Sequence, residues 1–175
     1  MKVLIACVVF ASLVFSTGEA LAQQKHKYFF KPTAGTTRFT QTHQMDVGDM
    51  PGHQVRIAEV QATYGDEAPV LDGLKVREIR GILVSDYVDG TGNAFLHRVW
   101  SLEGSDKVYS RMDIMARTTV DADGKRTTSY TAVEKLNGGT GKFKGLRGTL
   151  FTIGFSDLKT KTSGSQTEGE YWFEQ

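Results

Sequence analysis

Apolar and polar residues alternate along most of the chain after residue 54. Segments with this two-residue period are rich in β-branched and aromatic residues, and turn-forming residues separate them. We predict strands at 54–64, 74–88, 93–102, 107–118, 126–136, 148–155 and 166–174. The separators at 89–92, 103–106 and 121–124 contain the residue types that hairpin turns require. This spacing predicts an all-β antiparallel sandwich or barrel.

The chain before residue 54 has a weaker pattern. Residues 23–53 carry turn formers and one short predicted strand near 36–42, so we interpret them as an N-terminal extension. Residues 54–175 then form one predicted domain, an ordinary size for a single hydrophobic core. With the early strand included, the predicted count is about eight strands.

Residues 1–22 have the features of an export signal. Lys2 supplies a positive charge, residues 3–15 are mostly apolar, and residues 20–22 fit the small-residue cleavage rule. A signal peptide predicts a secreted or periplasmic protein. Cys7 is the only cysteine and lies inside this segment, so we expect the mature protein to contain no thiol or disulfide.

Charge and composition argue against several classes of partner. The chain has 21 Lys and Arg against 20 Asp and Glu, with no basic block, so we predict no binding to nucleic acid or to an anionic membrane surface. We also expect no membrane-spanning helix after the signal. The histidines, His26, His43, His53 and His97, lack the spacing of a metal site, and the sequence implies no metal and no cofactor.

Hairpin registers predict which side chains share a face of the sheet. Loops of four residues would set Trp100 opposite Gly81 on one side and opposite Tyr109 on the other, and Asp113 opposite Glu134. One predicted face mixes aromatic, charged and apolar residues: Leu83, Tyr87, Arg98, Trp100, Tyr109, Arg111, Asp113, Met115, Tyr130 and Glu134. The other face is apolar: Ile82, Val84, Phe95, Val99, Val108, Met112, Ile114 and Val133.

Two interpretations of these faces stay open. In the first, the mixed face meets solvent, its ion pairs are weak, and the apolar face is the core. In the second, the sheet closes into a barrel within an oligomer. The apolar face then becomes the subunit interface and the mixed face lines a ligand cavity.

A glycine-rich segment carries a family resemblance. Residues 136–148 read LNGGTGKFKGLRG and resemble the Gly-Gly-Thr/Ser-Gly-x-Phe-x-x-x-x-Gly signature of the allene oxide cyclase and dirigent barrels. The glycines permit a tight crossover, and Phe143 can plug the end of a barrel. Arg147 falls where dirigent proteins also carry an arginine. The resemblance, which covers 54–174, implies an eight-stranded antiparallel β-barrel of the calycin type that assembles as a homo-oligomer, a trimer in those families.

A second match concerns a candidate catalytic site. Glu59 and Gln61, followed by Pro69, resemble the Glu-x-Asn…Pro arrangement with which allene oxide cyclases position a buried acid, an ordered water and an epoxide. Gln61 stands in place of the asparagine. The same resemblance places Leu83 and Met115 at positions that point into that family's cavity.

The residue types themselves suggest a chemistry. Glu59 alternates with Val55 and Ile57, so inside a barrel it would be a carboxylate among apolar neighbours, suited to acid catalysis or to stabilising a developing cation. At a strand edge it would instead be a salt-bridge partner.

Three aromatic and two basic residues complete the candidate site. Arg98 and Arg111 can bind a ligand carboxylate in a bidentate way, or they can neutralise nearby Asp and Glu residues. Trp100, Tyr109 and Tyr130 can stack on an aromatic ligand or fill a core.

The leading functional prediction is an exported barrel that binds a small hydrophobic or aromatic molecule. As an enzyme, it would be a cyclase or isomerase that holds a flexible substrate near its reactive conformer. Glu59 would then act as the acid, and Arg98 or Arg111 would fix an anionic group. The alternative is a non-catalytic ligand carrier, or a structural barrel without a pocket. A cavity above about 300 Å³ with Glu59 inside would favour binding.

Overall fold

The computed structural model describes residues 23–32, 37–157 and 162–174, so the predicted signal peptide lies outside the described residues. Ten strands form the fold: β1 His26–Phe30, β2 Thr37–Asp46, β3 His53–Thr63, β4 Val70–Leu71, β5 Leu74–Val88, β6 Thr91–Leu102, β7 Lys107–Val120, β8 Arg126–Gly139, β9 Leu146–Asp157 and β10 Thr162–Phe173. A short 3-10 helix, Gly141–Phe143, joins β8 to β9. The all-β prediction is confirmed.

The strands form one antiparallel sheet in the order β1-β10-β9-β8-β7-β6-β5-β3-β2, and β4 pairs with β5. The sheet curls strongly, because the Tyr28 ring of β1 lies 6.1 Å from the Trp100 ring of β6, five positions away in the strand order. The inner face of the curl holds the core. Among the described residues, no helix is long and apolar enough to cross a membrane.

The structure differs from the predicted eight-stranded closed barrel in two respects. The sheet has ten strands, since the predicted N-terminal extension supplies both β1 and β2 and a two-residue β4 is added. No pairing joins the end strands β1 and β2 within the described part of the chain, so the sheet is not closed. Both strands missed by the sequence analysis are short and lack a long alternating pattern.

The first long hairpin has a tighter turn than predicted. Asp89 and Gly90 alone connect β5 to β6, and both have positive φ, 50° and 81°, as a two-residue hairpin turn of the primed type requires. The register therefore moves by two residues, so Gly81 lies opposite Arg98 and Ile79 lies opposite Trp100. A two-residue change leaves every side chain on its predicted face.

The next two hairpins differ from the prediction by one residue. Trp100 lies opposite Val108 rather than Tyr109, and Asp113 lies opposite Val133 rather than Glu134. In the β7–β8 loop the cause is Asp121, whose carboxylate accepts hydrogen bonds from the backbone N–H groups of residues 123 and 125 and so belongs to a five-residue loop. A one-residue change exchanges the faces of β7.

In the observed registers, the residues of the predicted mixed face lie on both faces of the sheet. Arg98, Trp100 and Glu134 point inward, whereas Tyr109, Arg111, Asp113 and Met115 point outward with Val99 and Val133. The residues of the larger buried cluster are Tyr28, Ala62, Leu71, Val76, Ile79, Trp100, Leu102, Val108, Leu136, Phe143, Leu146, Leu150 and Tyr171. Phe143, from the glycine-rich segment, is fully buried in this cluster and fills one end of the inner face.

Candidate functional site

A polar cluster lies inside the curled sheet. Glu134 is 1% exposed, and its carboxylate accepts hydrogen bonds from Arg98 Nη1 at 2.7 Å and Ser110 Oγ at 2.5 Å. The Trp100 indole N–H is within 3.0 Å of Ser110 Oγ and 3.2 Å of Glu134 Oε1. We call Arg98, Trp100, Ser110 and Glu134 the inner cluster. Its hydrogen bonds compensate the cost of burying the carboxylate.

Three tyrosines surround the inner cluster. Burial raises the pKa of Tyr28, and the negative charge of Glu134 raises it further. Burial also raises the pKa of Tyr64 and Tyr130. The Tyr130 ring covers Gly154 on β9, where a Cβ atom would clash with it. The three phenols are therefore neutral near pH 7, and the Tyr28 ring lies 6.1 Å from the Trp100 ring of the inner cluster.

The inner face around this cluster is packed. Trp100, Phe143 and Leu136 are among its fully buried side chains. Leu83 belongs to a second buried cluster with Ala58, Leu96 and other residues of the same face. The inner cluster is thus part of the core of the protein.

An open groove lies on the opposite, outer face of the sheet, with a volume of about 450 Å³. Its lining residues are Glu59, Arg80, Gly81, Ile82, His97, Arg98, Val99, Tyr109, Ser110 and Asn137. We call this feature the outer groove. Its volume falls within the range of small-molecule sites.

The strand register builds the two sides of the outer groove. Glu59, Ile82 and His97 occupy paired positions on β3, β5 and β6 and form one side. The parallel row on the other side is Arg80, Val99 and Tyr109, on β5, β6 and β7. The floor is the row between them, whose side chains point to the core.

Ile82 and Val99 lie at the centres of the two rows, and Glu59, Arg80, His97 and Tyr109 lie at their ends. Ile82 is 48% exposed and Tyr109 is 41% exposed, so both offer apolar surface to a ligand. Arg80, on the rim, is paired through Nε with Glu78 at 3.0 Å, and most of its side chain is exposed. A carboxylate, a guanidinium and an imidazole therefore border an apolar and aromatic strip.

The acid predicted from the resemblance lies in the outer groove and not in the core. Glu59 is half-buried on the outer face of β3, and the Thr40 hydroxyl of β2 donates a hydrogen bond to its carboxylate. Gln61 lies two residues further along the same face and accepts a hydrogen bond from Arg38 Nε at 2.9 Å. Pro69 is buried in the segment between β3 and β4.

The remaining predicted residues lie outside the outer groove. Arg111 and Asp113 form an exposed ion pair of 3.0 Å on β7, and the Arg111 guanidinium lies 4.7 Å from the Phe95 ring. Met115 is exposed on the same strand. Arg147 pairs with Glu174 at 2.9 Å near the end of β10.

The structure thus distributes the predicted site residues over two faces. On the inner face are Leu83, Arg98, Trp100, Tyr130 and Glu134. On the outer face are Glu59, Gln61, Tyr109, Arg111, Asp113, Met115 and Arg147. Only Glu59 and Tyr109 of the outer set line the outer groove, together with Arg98 in its floor.

Sequence analysis missed Arg80 and His97 as ligand-binding candidates, and it missed Ser110. The alternating pattern contained the necessary signal, since Arg80 and Ile82 share a face with each other and with Glu59 once the β3–β5 register is known. No group of three or more His, Cys, Asp or Glu side chains within the described ranges could hold a metal ion.

Comparisons with protein-family models, with curated proteins and with solved structures find no match to this chain. A function therefore has to be supported by the geometry of the site itself.

Proposed function

We propose that the protein is an exported binding protein whose outer groove holds a small hydrophobic or aromatic molecule. The observation that carries this proposal is the groove itself, about 450 Å³ in volume and bordered by Glu59, Arg80, His97 and Tyr109. Ligand sites of this size are mostly apolar with a few polar groups that fix orientation. Export rests on the signal features of residues 1–22.

The chemistry of the groove favours an amphipathic ligand. The Tyr109 ring and Ile82 can contact a flat apolar body. Arg80 and His97 are placed to bind an anionic group, and Glu59 can accept a hydrogen bond from a hydroxyl. No cofactor takes part in this proposal.

Binding of 8-anilinonaphthalene-1-sulfonate, a fluorescent aromatic anion, tests the proposal. We expect saturable binding that Tyr109→Ala weakens about tenfold, as the loss of one aromatic contact predicts. Phe155→Ala is the control, because Phe155 is equally exposed on the outer face but lies outside the groove. Equal weakening by both variants, or no saturable binding, would show that the groove is not the site.

A cyclase or isomerase of the allene oxide cyclase or dirigent type is the second candidate, because Glu59 lines the same groove. Native mass spectrometry of protein from its own host would identify a co-purified molecule. Incubation of that molecule with the protein and with Glu59→Gln then separates the candidates. Catalysis predicts lost turnover and retained binding in the variant, whereas an absence of turnover in both proteins leaves a carrier.

A structural protein without a ligand is the third candidate, and the packed inner face supports it. The binding titration distinguishes this candidate from the first two. A structural protein would give the probe no saturable site in the groove.

We also propose that the protein is a homo-oligomer, a trimer according to its resemblance. Large apolar residues occupy paired positions on neighbouring strands of the outer face. Phe151 pairs with Val133, and on the other side of Asp113 the row continues with Phe95, Val84 and Ile57. We call these five residues the outer apolar row. Apolar residues exposed together on one face in this way are typical of an interface between protein chains.

A further inference from the structure

Arg56 is a positive charge on the inner face that forms no ion pair with any of the described residues. It lies on β3 between Gln44 of β2 and Ser85 of β5. Its Nε atom is buried and has no hydrogen-bond partner among the described residues. The ion pairs found within 23–32, 37–157 and 162–174 do not include it.

The surroundings of Arg56 combine aromatic rings with small side chains. Its guanidinium carbon lies 5.0 Å from the centre of the Phe39 ring. Tyr87 lies on the same face of β5, two residues from the Ser85 that pairs with Arg56. Burial raises the pKa of Tyr87, and the positive charge of Arg56 opposes that rise. Ser85 and Ala94, two small and buried residues, continue the row of Arg56 across the sheet.

An unpartnered buried guanidinium nitrogen is costly to a folded protein. A buried donor without an acceptor loses its hydrogen bonds to water and gains none in the protein, and the cost is larger when the group is charged. The other arginine of the inner face, Arg98, has Glu134 as its partner at 2.7 Å. Arg56 therefore has an unused capacity for an oxyanion, and its planar donor group matches a carboxylate.

We propose that Arg56 binds the carboxylate of a small organic acid on the inner face of β3, with the apolar body of the acid against Phe39 and Tyr87. This site is separate from the outer groove, since Arg56 and Glu59 lie on opposite faces of the same strand. The proposal therefore does not depend on ligand binding in the groove.

The test follows the side-chain N–H resonance of Arg56 by nuclear magnetic resonance in the purified protein, assigned by its loss in Arg56→Gln. Sodium benzoate is the probe, benzyl alcohol is a neutral molecule of similar shape, and sodium sulfate is an inorganic anion. We expect benzoate to shift the resonance saturably, with benzyl alcohol at least about tenfold weaker.

Arg117→Gln is the matched control, because Arg117 is an exposed arginine on the outer face of β7. Isothermal titration calorimetry with benzoate compares the variants, and we expect Arg56→Gln to weaken binding about tenfold or more and Arg117→Gln to leave it unchanged. Saturation by sulfate at the same affinity as benzoate would contradict a preference for organic acids. No saturable shift with benzoate, or equal binding by Arg56→Gln, would overturn the site. Tyr109→Ala should leave this resonance shift unaltered, so failure of the groove and failure of this site are distinguishable.

Discussion

At the scale of single residues, the buried ion pair of Arg98 and Glu134 shows how this fold tolerates charge in its core. Glu134 accepts hydrogen bonds from the side chains of Arg98, Trp100 and Ser110, so its removal would leave the Arg98 guanidinium without its charged partner. Breaking such a pair is more destabilising than never having it. The inner cluster therefore stabilises the inner face only as a complete set.

Glu134→Gln is expected to lower the free energy of unfolding by about 3 kcal/mol, because Arg98 loses its charged partner in a buried position. Urea denaturation measures this loss. Glu170→Gln is the control, since its pair with Lys25 is exposed and should cost less than about 1 kcal/mol. Similar losses in the two variants would contradict the buried role of Glu134.

At the scale of elements, loop length decides what each strand presents to the interior. The strand positions of β5 to β8 were largely predictable, because alternation and turn residues mark them. The loops were not, because Asp121 enters its loop through side-chain hydrogen bonds that the pattern of apolar residues does not reveal. The one-residue change in the β6–β7 pairing, which sets Trp100 opposite Val108, moves Arg111 and Asp113 from the predicted cavity to the surface.

A bridge between a histidine and two carboxylates lies at the start of β3. His53 bridges Asp49 and Asp86, with Nδ1 at 2.6 Å from one carboxylate and Nε2 at 2.7 Å from the other. Both contacts are hydrogen bonds to carboxylate only when the ring is protonated. Hydrogen bonds to Asp86 and Asp49 raise the pKa of His53 above 6.5, and the hydrogen bond from His53 lowers the pKa of Asp49 below 3.8.

This bridge predicts a pH window for stability. The contribution of His53 is complete below pH 6.5 and is lost as the pH rises through its raised folded-state pKa. The contribution of Asp49 is present above pH 3.8 and is lost as the pH falls through its lowered folded-state pKa. Urea midpoints of the protein and of His53→Gln are compared between pH 3.8 and pH 6.5 and again above pH 8. We expect the unsubstituted protein to be more stable than the variant, by a margin that shrinks at high pH. An advantage independent of pH would contradict the bridge.

At the scale of the whole molecule, the curled sheet separates the inner face, which holds the core, from the outer face, which holds the groove. The predicted mixed face contained residues of both. Composition and alternation predicted an all-β fold, and the glycine-rich segment placed Phe143 in the core. They could not assign the faces of β7, so Trp100 and Tyr109 were predicted to share a cavity and instead lie on opposite faces of the sheet. Glu59 and Tyr109 border the same groove only because four strands, β3, β5, β6 and β7, lie side by side, a long-range feature that no local pattern contains.

The outer apolar row gives a prediction about assembly. Phe151 is 54% exposed in the single chain, so Phe151→Asp should weaken self-association at least about tenfold if a second copy covers the row. Light scattering after size-exclusion chromatography measures the assembled mass. Val70→Asp is the control, because Val70 is 51% exposed on β4, away from the row. A protein that is monomeric before substitution would exclude the oligomer.

The proposed ligand site lies on the outer face of β5, and thiol labelling of two adjacent positions tests this directly. With Cys7 replaced by Ser, Ile82→Cys and Leu83→Cys each carry a single thiol. Ile82 is 48% exposed in the outer groove and Leu83 is 6% exposed in the core. We predict rapid labelling at position 82, slowed by bound 8-anilinonaphthalene-1-sulfonate, and labelling at position 83 only after unfolding. Rapid labelling at 83, or labelling at 82 that the saturating probe does not slow, would contradict the account.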